Sequence, residues 1–493
     1  MRLLRGSRRV AALLVPGVVM LGCGSAPISQ ALFGPSLARQ GAELAAEIEE
    51  QGLLQGDDAL SAYLRAIGER LASEAEKSPV DAFHFAVLDA PEPNAFALPG
   101  GYVYVSRGLL VLLNTEDELA GILGHEIGHI LARHHAKRLA RDVPLMPFRI
   151  VTRITGSVVG LVLPGVGGVL SATGDVTSAL AHAPYSRGQE NEADEIGQEL
   201  AARAGWDPTG ISSVMDALAA EARLQGHDPN RQSFLSSHPT SPKRSARTRE
   251  HALKLERAEP SPIAGTRAAF FGRLDGLVVG TKASEGVFHG PEFLHPELDF
   301  AIAFPASAGW QRLNLPSMVG AVNEHPPTAV LLELVAEGDD ALDVALAFEP
   351  KNGSLDAPPV ADSVNGRPAA RARGGAGWGR GAVRAELWWI AHAGRVYRLT
   401  CATGRRDFDG LTDRCDATAR SFRALVPTDL ANIVEDRLRA LRAREGDSLA
   451  DLLVRISTRW TLQQAAVANA IEPVAKLASG ELVKVAVTEP YEF

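Results

Sequence analysis

The chain has 493 residues and is 46% hydrophobic, enough for two to four domains, each with a core of its own. A formal net charge of −9 and an aromatic content of 6% argue against a nucleic-acid partner, which calls for concentrated positive charge and stacking platforms.

At the N-terminus, Arg2, Arg5, Arg8 and Arg9 accompany an apolar stretch, Val10 to Leu21, too short for a comfortable mature membrane span. Residues 1–22 therefore read as a secretory signal. The following Gly22-Cys23 resembles a bacterial lipobox, with Cys23 as the lipidation site and residues 23–34 as a lipidated linker. Gly24, in place of an aspartate, resembles the pattern sent to the outer membrane. An ordinary cleaved signal is the alternative.

From Pro35 to Lys77, apolar residues recur at three- to four-residue steps (Leu37, Leu44, Ile48, then Leu60, Leu64, Ile67, Leu71), which predicts helix. Asp81 to Ala90 reads as a strand. Gly100-Gly101 is a turn signal before the β-rich run "YVYVS". That run either packs as an ordinary strand or binds extended substrate as an added strand. Thr115 and Glu118 form a capping-box pattern opening a helix that is expected to end before Pro144. Val143 to Ala183 is apolar, Gly-rich and poor in charge. Arg153 and Pro164 count against a membrane span there, leaving a buried helical hairpin or a lid.

The capped helix carries "HEIGH". His125 and His129 are four apart and share one helix face, so two imidazoles can bind one cation. Glu126 sits about 100° around the helix, where it reaches a water at the metal without being a ligand, the position of a general base. A catalytic zinc site needs one more protein ligand and leaves a place for water. "YSRGQENEADEIG" offers Glu190, Glu192, Asp194 and Glu195. Glu190 and Asp194 share a face, so one could ligate while the other accepts a hydrogen bond from a ligand histidine. Ala193 and Gly197 are small enough to let two helices approach closely. Glu192, Glu195 and Glu199 read as a solvated face. On a continued helix His134 falls about 180° from His125, and His135 roughly 80° away. With Lys137, Arg138 and Arg141 they read as a basic helix end suited to the dipole, not as ligands.

"EPSPIAG" (Glu259 to Gly265) looks like a linker. A β-rich region of unknown role follows, residues 266–425, and a small module at 437–487. With Cys23 set aside, Cys401 and Cys415 remain: a disulfide in an oxidising compartment, or two buried thiols.

"HEIGH" followed by "SRGQENEAD" resembles metallopeptidase family 48. "NAFALPGGYVYVSRGLL", "AGWDPTGISSVM" and "SSHPTSPKR" are similar to further segments of that family. The resemblance covers residues 35–257 and lacks the multi-pass membrane helices of other branches, pointing to the soluble periplasmic one. It implies an α+β multidomain chain whose first folded part is a mainly helical, gluzincin-type zinc protease domain with a small β-sheet. It implies one zinc per chain on His125, His129 and Glu190, with Asp194 behind a ligand histidine and Glu126 catalytic. It further implies that His238 either acts as a fourth ligand that keeps the enzyme latent or fixes its loop. Tyr185, His238 and Arg244 are candidate substrate or transition-state contacts.

Residues 437–487 resemble a LysM peptidoglycan-binding module, with Ala470 where glycine is usual and no obvious binding aromatic in the last strand. The expected function is a zinc endopeptidase of the Gram-negative periplasm, anchored by lipid to the outer membrane and acting on unfolded or misassembled envelope proteins. A non-catalytic chaperone on the same fold and a peptidoglycan-binding lipoprotein are the alternatives.

Overall fold

The structure is a computed structural model, and it describes residues 28–135, 184–225, 234–259, 262–315, 317–350, 353–376 and 383–492. The signal segment 1–22, Cys23 and the whole apolar segment 143–183 lie outside the described residues. Among the described residues no helix is long and apolar enough to cross a membrane.

The predicted helical region divides into α1 (Ile28–Glu50) and α2 (Asp58–Ser73). Asp57 caps α2, its side chain accepting from Leu60 N at 2.9 Å. One face of α2 buries Leu60, Tyr63, Leu64, Ile67 and Leu71, as the apolar spacing requires. Strands β1 (His84–Leu88), β2 (Ala95–Leu98) and β3 (Tyr102–Ser106) form a sheet of order β1-β3-β2. β3 is parallel to β1 and antiparallel to β2. The added-strand expectation for "YVYVS" is therefore corrected: β3 is central, and its backbone is paired on both sides. The edges belong to β1 and β2.

After α3 (Arg107–Leu112) comes α4 (Glu116–Leu131), which carries the HEIGH residues. Thr115 caps it, accepting from Glu118 N at 3.2 Å, while Glu118 reaches one residue further back to Asn114 N at 2.6 Å. Glu116 anchors the same end. Its carboxylate accepts from Tyr63 Oη (2.7 Å), Trp206 Nε1 (2.8 Å) and Ile263 N (2.7 Å). α4 ends at Leu131, before Pro144 as expected, and Arg133 takes a left-handed φ of 56° that turns the chain away.

α5 (Arg187–Arg203) opens with a full capping box between Ser186 and Gln189. It crosses α4 where small residues meet. A Cβ on Gly124 would stand 2.8 Å from Gly197 O, and one on Gly128 would stand 2.7 Å from Ala193 O. Nothing larger fits there, so the backbones touch and the carboxylates of α5 reach the histidines of α4. α6 (Gly210–Gln225), α7 (Phe234–Ser237) and α8 (Pro242–Ala252) close the layer.

The expected domain division at 257/266 does not coincide with the packing. Phe270, Phe271 and Leu274 on α9 (Arg267–Leu274) are buried in the same apolar cluster as Leu64, Leu109 and Leu123. The Ile263 and Ala264 N–H groups of "EPSPIAG" donate to Glu116 instead of lying in a free linker. Beyond Ala283, eight strands form a sheet with two Trp side chains, Trp388 and Trp389, buried. Cys401 on the strand Arg395–Gly404 and Cys415 on the helix Phe408–Ser421 are joined by a disulfide that pins the helix to the sheet.

The C-terminal module runs strand (Val434–Arg442), helix (Leu449–Val454), helix (Leu462–Asn469), strand (Leu482–Pro490). Its first strand also pairs with Val278–Val279. Lys484 of its last strand is fully buried under α3 and donates to Val111 O at 2.8 Å and to Leu113 O. Burial pulls its amino group down to about 7, against the opposing pull of the Glu118 carboxylate. Below about 7 the amine is charged in both states, and above about 10.5 it is neutral in both. Between these limits the unfolded chain binds the extra proton, so this group's contribution to stability rises with pH. Comparing denaturant midpoints of wild type and Lys484→Met at neutral and alkaline pH should show the difference shifting in favour of wild type on the alkaline side. A pH-independent difference would refute this.

Candidate metal centre

α4 and α5 deliver His125, His129 and Glu190, and the chain after α7 delivers His238. All four are buried, and one donor atom from each lies within 4.8 Å of the others. His129 Nε2 is 3.0 Å from His125 Nε2, which is 3.1 Å from His238 Nδ1. Glu190 Oε1 is 3.1 Å from His238 Nδ1 and 3.4 Å from His129 Nε2. A tetrahedral zinc with bonds of roughly 2.0–2.1 Å to nitrogen spaces its ligands about 3.3 Å apart. Four of the donor pairs, at 3.0–3.4 Å, are close to that spacing.

The protons support the same fit. His125 Nδ1 lies 2.9 Å from Asp194 Oδ1, and a carboxylate only accepts, so Nδ1 carries the proton and in the neutral ring Nε2 is a bare lone pair. His134 Nε2 faces Glu192 Oε2 at 3.1 Å, so the neutral ring accepts at Nδ1, where His129 Nδ1 stands 2.9 Å away. His129 therefore also turns a bare Nε2 inward. Burial holds His129 well below the ordinary histidine range, with Glu190 opposing, so it stays neutral. Two lone pairs 3.0 Å apart repel unless a cation sits between them.

Burial alone would raise the Glu190 carboxyl. Contact with His238, then with His129 and His125, outweighs it and holds Glu190 ionised. Asp194 is likewise kept ionised against burial, chiefly by Arg244 and His125. Glu126 differs: burial raises its carboxyl above the usual range, although His238 and His125 pull the other way. Its Oε1 has no hydrogen-bond partner among the described residues and lies 3.6 Å from His238 Nε2. The backbone N–H of Ala97, on β2, holds the carboxylate.

Three sequence expectations need correction. Arg244 is taken up by the carboxylates of the site and is not placed as a substrate contact. It is buried, gives Nε and Nη2 to the two oxygens of Asp194 (2.8 and 2.7 Å), and also bonds Glu190 Oε2 and Pro239 O. Tyr185 stacks on His129, ring centroids 4.0 Å apart, but its hydroxyl is turned to His135 Nδ1 at 3.0 Å. His134 is not on an outward helix end. The turn at Arg133 folds it beneath His129, and no Gly or Asn in "ARHH" announces that turn. Its partner Glu192 stays on the solvated face with Glu195 and Glu199, which pair with Arg247 and Arg203, but it also reaches inward to His134.

Residues 58–252 match the family described as "Peptidase family M48". The chain is 29% identical over 239 residues to the beta-barrel assembly-enhancing protease of Yersinia pestis, covering 48% of this chain and 47% of that protein. It is 30% identical over 205 residues to the protein of that name from Escherichia coli, covering 41% of each. The mitochondrial metalloendopeptidase OMA1 of Schizosaccharomyces pombe is 34% identical over 166 residues, covering 32% of this chain and 43% of that protein. The chain thus spans less than half the length of each of these relatives.

Proposed function

We propose that this chain, whose residues 58–252 are a peptidase family M48 domain, is a zinc-dependent endopeptidase of gluzincin type. One zinc would be held by His125, His129 and Glu190, with Asp194 orienting His125. The observation that carries the reading is the pair of inward-facing, protonless histidine nitrogens beside a buried, free carboxylate oxygen of Glu126. When bound, zinc supplies Lewis acidity, which brings the pKa of water toward neutrality and polarises the scissile carbonyl.

The protein's own groups do the rest. Glu126, raised by burial, accepts a proton from the attacking water at its free oxygen and returns it to the leaving amine. The edge strand β2 lies against Glu126 through Ala97, so an extended substrate aligned along β2 would present its carbonyl beside that carboxylate. His238 turns Nδ1 into the donor set and Nε2 toward Glu126, filling the place a water needs. This arrangement is a latent state, and withdrawal of His238 exposes the site. His238→Ala should raise cleavage over wild type, at most by the inverse of the fraction of molecules already open. Equal rates would remove latency from the account.

The substrate class we assign is unfolded or misassembled protein of the Gram-negative periplasm, in keeping with relatives named for β-barrel assembly. A lipid on Cys23 would hold the enzyme at the outer membrane, and the strand-helix-helix-strand module, read as LysM-like, would contact peptidoglycan. A non-catalytic chaperone would have no use for Glu126 as placed. The test is cleavage of an unfolded model protein by the purified full chain. Cleavage that stops on chelation and returns with zinc supports the proposal; cleavage indifferent to chelation contradicts it.

A further inference from the structure

We infer that His134 and Glu192 are positioning residues that fix which nitrogen of His129 carries its proton. The inference rests on the zinc reading above and extends it to two residues outside the donor set. An imidazole binds a metal through a lone pair, and the hydrogen bond at its other nitrogen selects the tautomer and the ring angle. His125 has a buried carboxylate, Asp194, for this purpose. His129 has another imidazole. His134 stands with Nδ1 2.9 Å from His129 Nδ1, its ring 4.9 Å away and inclined at 70°. It is fully buried.

An imidazole in that place is ambiguous, because either of its nitrogens can carry the proton. Glu192 removes the ambiguity. Its carboxylate accepts from His134 Nε2 at 3.1 Å, which makes His134 Nδ1 an acceptor and His129 Nδ1 a donor. The polarity runs one way, from the protein surface to the donor set. Glu192 is the outer end, its side chain 51% exposed. Three carboxylates of α5 thus serve three imidazoles: Glu190 faces His238, Asp194 faces His125 and Glu192 faces His134.

The polarity can be reversed from outside. A donor in place of Glu192 would make His134 Nε2 the acceptor and turn an N–H toward His129 Nδ1. His129 would then carry its proton at Nε2, where it cannot bind a metal.

The experiment measures the zinc dissociation constant of the full chain by chelator competition, alongside thermal unfolding of the zinc-free protein. His134→Leu should bind zinc about 10- to 100-fold more weakly. His134→Asn, which keeps an acceptor oxygen near the Nδ1 position, should recover most of that loss. Glu192→Gln should stay near wild type, because its amide oxygen still accepts, whereas Glu192→Lys should match His134→Leu. Glu192 is half-exposed, so its variants keep the test decisive even if His134→Leu does not fold. Equal zinc affinity in Glu192→Gln and Glu192→Lys, or no recovery by His134→Asn relative to a folded His134→Leu, would overturn the inference. If the wild type itself binds no zinc, the peptidase reading fails first and this inference falls with it. Wild-type binding with insensitive variants defeats this inference alone.

Discussion

Glu126→Gln should retain zinc and lose about 10²- to 10⁴-fold in peptide cleavage. The amide fills the same buried space and can still accept the Ala97 N–H, so packing and the donor set stay as they are. It cannot take a proton from water. Binding and catalysis therefore separate in this one variant, which should be assayed for zinc content and cleavage together. Unchanged cleavage would mean that another group is the base. Joint loss of zinc and activity would mean that Glu126 supports the donor set.

Arg244→Met should be the most destabilising single change at the site. The guanidinium neutralises Asp194 through two hydrogen bonds and also contacts Glu190, and all three side chains are at least nine-tenths buried. Removing it leaves two buried carboxylates short of positive charge, a class of change that costs about 3–5 kcal/mol. The control is on the same helix. Arg247 pairs with Glu195, but both are nearly half-exposed, and Arg247→Met should cost about 0–1 kcal/mol. Denaturant midpoints of the zinc-free proteins compare the two directly. Similar costs would show that the Asp194–Arg244 pair is not a buried anchor. Zinc would offset part of the Arg244→Met loss, since a cation beside Glu190 supplies some of the missing charge.

The residues of the site were legible where helical spacing decides geometry. His125 and His129 share a face of α4, Glu190 and Asp194 share a face of α5, and the structure brings these faces together. Gly124, Gly128, Ala193 and Gly197 allow that contact, and the last two stand out in the sequence as small residues within an acidic stretch. Legibility stopped where tertiary contacts override local signals. Arg133 adopts a left-handed backbone with a residue type that seldom does so, and His134 turns from surface into interior. "EPSPIAG" has the composition of a linker, yet two of its N–H groups are bonded to buried Glu116. The role of "YVYVS" depended on strand order, which no single strand contains. Lys484 looks like any exposed strand lysine until α3 is placed over it.

The same contrast separates the modules. The C-terminal strand-helix-helix-strand unit has its own apolar cluster around Leu449, Leu452, Val483 and Val485. Lys484 ties it to Val111, within residues 58–252, and its first strand is paired with Val278–Val279. Any glycan it binds would therefore be held at a fixed position relative to the metal centre.

The central claim is that His125, His129 and Glu190 form a zinc site, and metal analysis of the purified chain tests it most directly. The account predicts one zinc per wild-type chain and loss of that zinc in His129→Ala. A wild-type chain that takes up no zinc, or a His129→Ala chain that still holds one, would contradict it.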